Sequence, residues 1–382
     1  MDRNDAPWMN EELRLLRDSA GKFFTREFAP RMERWIDQGM VDRDAWTTAG
    51  AAGLLCASIP EEYGGGGGTY AHEAVIVQEQ VCAGVVGFGN SVHSGIVAHY
   101  LLSFGTEEQK RHWLPRMASG ETVAAIAMSE PGAGSDLQNI KTTARKDGNH
   151  YVINGQKTFI SNGQHADLVV TVCKTDPSLG AKGTSLILVD TNAVDGFRRG
   201  RNLAKLGQKA ADTSELFFDD VRVPQTSLLG LEEGRGFGQL MNQLPWERLI
   251  IALRCATQMQ HAVDLTLDYV RDRKAFGKAI FEFQNTRFKL AECQTVATVA
   301  KTFTDDCMVK LLAGELDGRT AAMAKWWVSD QQSKLIDECL QLHGGYGYML
   351  EYPIARMYAD SRVDRIYGGS NEIMKELVAR GF

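Results

Sequence analysis

The spacing of apolar residues changes twice along this chain, and that change restricts the fold more than any single residue does. Leu13, Leu16, Ala20, Phe24, Phe28, Met32 and Trp35 recur at intervals of three and four, which draws one apolar stripe on a long helix. Thr106 with Gln109 is a capping box that opens another helix through Lys110 and Trp113. From about Glu121 to Val223 the period becomes that of strands. Val123 to Met128, Tyr151 to Ile153, Thr158 to Ile160, Leu168 to Cys173 and Leu186 to Val189 are short apolar or β-branched runs. Asp147-Gly148 and Asn154-Gly155 sit between such runs and read as hairpin turns, because a type I′ turn needs positive φ at both central residues. Antiparallel neighbours are expected rather than βαβ crossovers. After Pro224 the helical period returns, with Val296, Val299, Ala300, Phe303, Cys307 and Leu311 on one stripe and a further helix over Thr320 to Leu340. The expected fold class is α+β multidomain: an N-terminal helical domain over 1–120, a middle antiparallel β-domain over 121–225, and a C-terminal helical bundle over 226–382.

Composition removes whole classes of function. The net charge is −6 and no block of Lys and Arg stands out, so a nucleic-acid groove or a basic membrane face has no electrostatic support. No apolar run approaches the ~18 residues of a membrane span. Met1 to Glu12 is polar and acidic, unlike a signal or Arg-rich transit peptide. A cytoplasmic location is expected, or the mitochondrial matrix if a transit peptide has been removed. The seven cysteines are scattered without a C-x-x-C, which suits buried thiols in a reducing compartment. No H-E-x-x-H occurs, and no metal is expected. The run Gly64 to Gly68 lacks the Lys-Ser or Lys-Thr of a phosphate loop and reads as a flexible surface turn. G-x-G-x-x-G after a strand and G-x-S-x-G are both missing, against a nicotinamide enzyme and an α/β-hydrolase.

What remains is the segment Met128-Ser129-Glu130-Pro131-Gly132-Ala133-Gly134-Ser135-Asp136, whose small residues and free amides follow a strand and could line a cofactor. It resembles the signature of the acyl-CoA dehydrogenase flavoproteins. Lys157-Thr158-Phe159-Ile160-Ser161-Asn162-Gly163 is similar to their second flavin segment, and Arg273-Lys274-Ala275-Phe276-Gly277-Lys278 with Gln284 to a cofactor-contact segment. Gln341 to Gly347 and Ile366 to Glu372 match two C-terminal motifs, so five motifs stand in the family's order. The resemblance implies a β-domain between an N-terminal helical domain and a C-terminal four-helix bundle, with FAD bound between β-domain and bundle in a homotetramer. By the same resemblance Ser129 and Ser161 hydrogen-bond the flavin ring, Phe159 packs beside it, and Met128, Gly134 and Ile160 line it through backbone and side chain. Arg273, Phe276, Gln284, Gln341, Gly344 and Gly345 would reach a neighbouring subunit's FAD. Ser370 and Glu372 would sit on its far portion. Ser135, Arg248 and Gly369 would lie near the acyl-CoA. Taken singly, Phe159 reads as a strand core residue, Arg273 as a solvated helix end and Gln341 as a surface cap.

The implied reaction removes a proton from Cα of an acyl thioester while a hydride leaves Cβ for the flavin, giving a trans-2-enoyl-CoA. A carboxylate base for this carbon acid must be desolvated, since an exposed one near its ordinary pKa of ~4 is too weak. Most family members carry that glutamate directly after the tyrosine of the last motif, where this chain has Gly368. Long-chain and isovaleryl-CoA dehydrogenases place it instead at the position of Glu247, within Leu244-Pro245-Trp246-Glu247-Arg248-Leu249. Local sequence alone reads Glu247 as a helix-start acid just after Pro245. The loss of one glutamate and the gain of the other favour Glu247 as base. The last motif resembles the long-chain type more than the isovaleryl type, whereas Gly238 is small where a larger side chain is expected near the substrate. Branched-chain and terpenoid-type acyl-CoA dehydrogenases share the relocated glutamate. An electron-transferring flavoprotein is the implied acceptor. An acyl-CoA oxidase and an inactive flavin-binding homologue stand as the alternative readings.

Overall fold

A computed structural model describes residues 5–382. The first stripe folds as α1 (Glu11–Phe23), opened by the Asn10 side chain accepting from the Leu13 amide at 2.8 Å. It does not continue as one helix. A π turn at Phe24–Phe28 and a 3₁₀ turn at Ala29–Arg31 intervene before α2 (Met32–Gln38). The break falls where Pro30 supplies no amide, and Phe24, Phe28 and Trp35 all still face the core. Then follow α3 (Asp44–Ala51), α4 (Tyr70–Cys82), and α5 (Asn90–Val92), which runs through a π turn at His93–Val97 into α6 (Ala98–Phe104). α7 (Glu107–Ala118) begins at the expected capping box, with reciprocal bonds of 3.2 and 3.0 Å between Thr106 and Gln109. The Gln109 amide also donates to the carbonyls of Thr226 and Leu228 at 2.8 and 2.9 Å, tying this helix to the chain that leaves the sheet.

The glycine run is not a loose turn. Successive amides of Gly65, Gly66, Gly67 and Gly68 donate to the carbonyls of Pro60, Cys56, Ile59 and Ala57 at 2.8–3.2 Å. The absence of side chains lets the segment fold flat onto residues 56–60, so its composition serves close backbone approach.

The middle region contains β1 (Ala124–Ala127), β2 (Thr143–Asp147), β3 (His150–Ser161), β4 (Leu168–Lys174), β5 (Thr184–Asp190), β6 (Phe197–Asn202) and β7 (Thr213–Pro224). Their order is β1-β4-β2-β3-β7-β6, with β5 on β4. A hairpin forms at this point, but it turns one residue later than read: Asp147 pairs with His150, the turn residues are Gly148 and Asn149, and only Gly148 has positive φ, at 57°, unlike a type I′ turn. Two further local expectations need correction. Asn154-Gly155 lies inside continuous β3 and forms a bulge against β7, not a turn. A Cβ at Gly155 would come 2.4 Å from Thr142 Oγ1, and the Asn154 side chain exchanges two bonds with Asp220, which together hold the bulge. The sheet is also mixed: β1 runs parallel to β4, with Ala124 opposite Leu168. The β2–β3 hairpin lies between those strands in sequence and supplies the long connection that a parallel pair requires.

The last region is built on α8 (Gly236–Asp272), a short hairpin of β8 (Lys274–Ala275) and β9 (Lys278–Ala279), α9 (Gln284–Leu312) and α10 (Gly318–Leu342). α11 (Pro353–Ser361) and α12 (Asn371–Ala379) pack on α10. On α9 the buried face is Leu290, Cys293, Ala297, Ala300, Thr304 and Cys307, so Val299 from the expected stripe is instead exposed. The apolar face of α8 is shared: Trp246 to Val263 packs with α9 and α10 and also with Leu13, Ala71 and Val75 from α1 and α4. α1 and α4 therefore share one core with the bundle around α8. No helix among the described residues is long and apolar enough to cross a membrane.

Candidate active site

Two of the signature segments meet at the end of β1. The Thr158 amide donates to the Ser129 carbonyl at 2.9 Å, and Lys157 Nζ donates to the Met128 carbonyl at 3.1 Å. Beneath them lies an ion pair, Lys157 to Glu130 at 2.9 Å, with both side chains almost fully buried. Glu130 also accepts from the amides of Lys141 and Thr142 at 2.6 and 3.0 Å. Burial pushes its carboxyl up, but the Lys157 charge and these donors outweigh that and hold it below its usual range. Sequence assigns neither residue a separate role, since the pair joins the segment after β1 to β3.

Above this pair the surface is small and open. Gly132 and Gly134 have no atom within 4 Å of where a Cβ would be, Ser135 is exposed, and Met128, Ser129 and Ser161 are half-buried. Phe159 is not a strand core residue: it is 69% exposed, with backbone in the left-handed region at φ 60°. Ile160 turns the other way, into the β-domain core, so it offers this surface only backbone. An exposed aromatic ring beside hydroxyls, free amides and vacant glycine faces fits a planar heteroaromatic cofactor such as a flavin.

Glu247 lies elsewhere, on α8. The helix begins at Gly236, eleven residues earlier, and Pro245 lies within it, which excludes the helix-start reading. Glu247 is 6% exposed, and Oε1 accepts from Tyr100 Oη on α6 at 2.7 Å. Burial pushes its carboxyl up to about 7 against the smaller opposing pulls of Tyr100 and Arg248. Arg248 is buried as well, and its Nε has no hydrogen-bond partner. Trp246 Nε1 donates to the Gly95 carbonyl at 2.6 Å, an approach that leaves a Cβ at Gly95 only 2.9 Å from Ile250. Tyr100 was missed from sequence: it is 147 residues away, and no local pattern marks it. At Gly238 a Cβ would meet nothing within 4 Å.

Gly368 faces the same helix. A Cβ there would lie 2.4 Å from Ile251 Cδ1, one turn beyond Glu247, and its φ is 63°. A buried polar network holds this turn. Lys325 on α10 donates to the Gly369 carbonyl at 2.6 Å and to Asn371 at 3.1 Å. Asp364 accepts from Arg254, from Gln332 at 3.1 Å and from Tyr367 at 2.5 Å. Ser370 caps α12 by accepting from the Ile373 amide at 3.4 Å, and Glu372 is exposed in its first turn.

The other residues lie at the far end of α8. Arg273 follows its last turn, about 39 Å along the axis from Glu247 at 1.5 Å per residue. Its guanidinium is 5.4 Å from the centre of the Tyr346 ring, which brings it beside the 341–347 segment. Phe276 is 96% exposed, and Gln284, Gln341, Gly344 and Gly345 are also exposed. No hydrogen bond or ring contact among the described residues joins this group to Met128–Ser161 of the same chain.

Three family models match in sequence order: the acyl-CoA dehydrogenase N-terminal domain over residues 10–121, the middle domain over 125–221, and the C-terminal domain over 234–382. The long-chain specific acyl-CoA dehydrogenase of Sus scrofa mitochondria is 47% identical over 368 residues, covering 96% of this chain and 85% of that one. Isovaleryl-CoA dehydrogenase of Pongo abelii is 33% identical, covering 98% and 89%. The crystal structure of an acyl-CoA dehydrogenase from Geobacillus kaustophilus superposes with a TM-score of 0.96 at 46% identity, each chain covered to 99%. The chain belongs to the acyl-CoA dehydrogenase family and has its fold: N-terminal helices, a middle sheet and C-terminal helices. Within it, the chain is a flavoprotein oxidoreductase that acts on acyl-CoA.

Proposed function

We propose that this chain carries out FAD-dependent α,β-dehydrogenation of a saturated acyl-CoA, with Glu247 taking the Cα proton. The observation that carries the reading is a buried carboxylate near pKa 7 on the face of α8 that Gly368 also meets. A carboxyl tuned to about 7 is about half ionised at pH 7 and far more basic than an exposed one. FAD, when bound, supplies the oxidant that accepts the hydride from Cβ. Ser129, Ser161, Phe159, Met128, Gly134 and the Ile160 backbone would hold its ring, with Ser370 and Glu372 on its far portion. The exposure of Arg273, Phe276, Gln284, Gln341, Gly344 and Gly345 supports their use on a neighbouring subunit of a homotetramer, since none reaches the Ser129–Ser161 surface of its own chain. Ser135, Arg248 and Gly369 would contact the acyl-CoA. The three parts 1–120, 121–225 and 226–382 would be its domains, the first joined to the third where α8 packs on α1 and α4. The 47% identity to a long-chain enzyme supports a long acyl chain, and an electron-transferring flavoprotein would reoxidise the cofactor.

Anaerobic flavin bleaching by acyl-CoAs of graded length and branching tests this reading, on the native chain and on Glu247→Gln. The native enzyme should bleach, with a preference for long chains. Glu247→Gln should keep its flavin and not bleach; bleaching at the native rate would remove Glu247 as the base.

A further inference from the structure

We propose that Tyr100 is a positioning residue for this reaction: its hydroxyl pins Oε1 of Glu247 and leaves Oε2 as the atom that receives the proton. The inference rests on Glu247 being the base, and concerns how that base is aimed. Tyr100 is fully buried on α6, and its hydroxyl is the one hydrogen-bond donor to Glu247 among the described residues. The seat is rigid. Gln243 donates to Ser103 at 2.9 Å and Trp246 to the Gly95 carbonyl at 2.6 Å, so three bonds, from positions 243, 246 and 247, join one stretch of α8 to the His93–Phe104 run.

Other ionisable groups on the packed elements are engaged elsewhere. His99 is 2.8 Å from Ser58, Glu73 accepts from Ser58 at 3.1 Å, and Arg254 pairs with Asp364. Among the described residues, Tyr100 and the adjacent Arg248 are the side chains that act on the charge of Glu247. Burial and the neighbouring carboxylate push the Tyr100 phenol well above its usual value, so it remains a donor throughout the working range.

The arrangement has two opposed consequences. A single donor fixes the carboxylate rotamer, which lowers the entropic cost of reaching Cα. The same donor stabilises the charged form, which restrains basicity. Tyrosine supplies one neutral donor, enough to orient the group without removing its affinity for a proton. Tyr100 touches the base and not the reacting carbon, so its removal should alter the pH dependence as well as the rate.

The test compares the native holoenzyme with Tyr100→Phe and with 3-fluorotyrosine at position 100, a stronger donor of nearly the same shape. The midpoint of Glu247 ionisation is read without acyl-CoA, from the infrared carboxylate difference against Glu247→Gln. The pH profile of anaerobic bleaching is then measured with dodecanoyl-CoA. Tyr100→Phe should raise the infrared midpoint and the acid limb by about one pH unit, and lower the bleaching plateau by about ten-fold with KM nearly unchanged. Fluorotyrosine should move both midpoints down. An unmoved midpoint in both variants, with Glu247→Gln inactive, overturns the role of Tyr100 while leaving the base in place. Full bleaching by Glu247→Gln overturns the base and this inference with it. If Tyr100→Phe fails to fold, the sign of the fluorotyrosine shift decides.

Discussion

Glu130 and Glu247 are both glutamates and equally buried, at 7% and 6% exposure, yet they are tuned in opposite directions. Glu130 accepts from a lysine and two backbone amides and is held below its usual range. Glu247 accepts one bond from a neutral phenol and is pushed up to about 7. Burial alone raises a carboxylate; the number and charge of its donors decide whether it becomes a fixed anion or a base. The first is suited to holding two loop segments together. The second is suited to moving a proton.

The same substitution at the two sites should therefore act with opposite sign. Glu130→Gln leaves Lys157 charged, buried and unpaired, a loss of about 3–5 kcal/mol that should lower the melting temperature by roughly 5–10 °C. Scanning calorimetry checks it; an unchanged transition would mean that the pair is not structural. Glu247→Gln should instead stabilise the fold at pH 8. Its folded pKa of about 7 exceeds the ordinary 4.5, so the folded state holds the extra proton between those values. Stability falls as pH rises through that window, and above it the ionised group costs up to about 3 kcal/mol, which the amide removes. The melting temperature at pH 8 should rise by a few degrees, and the gain should vanish below pH 4.5. A fall at pH 8 would break the comparison.

The bleaching rate of the native enzyme should drop below pH 7 by about ten-fold per unit, because only the ionised carboxylate accepts a proton. A profile flat down to pH 5 would place the chemistry on another group. The smallest effect is expected from moving the base. Gly368→Glu in the Glu247→Gln background should recover little bleaching, because the left-handed backbone and Ile251 oppose a side chain there. Adding Ile251→Ala should recover several-fold more; equal recovery without it would show that Ile251 yields.

Legibility followed the range of the interaction. The Thr106–Gln109 capping box and the hairpin at Asp147-Gly148 each depend on residues within a few positions, and both formed where read, although the hairpin turns on Gly148 and Asn149. Asn154-Gly155 carried an equally strong local turn signal, but pairing with β7 and contact with Thr142 made it a bulge. The parallel β1–β4 pair and the Gly64–Gly68 packing likewise depend on partners that no local window contains. In the candidate site, the order of the motifs pointed to Glu247 and the loop residues, whose roles are the proposal made above. Tyr100 had no such marker, and although Glu130 and Lys157 stand in two of the motifs, their pairing did not show there.

The sequence by itself determined the α-β-α order of the chain, the family and the positions of the ionisable groups, because periodicity and residue identity are properties of the chain. Only the tertiary structure decided how firmly each buried carboxyl holds its proton. A carboxylate's affinity for a proton depends on the solvent it loses and the donors it gains. Those donors, Tyr100 for Glu247 and Lys157 for Glu130, arrive from helices and strands far away in sequence.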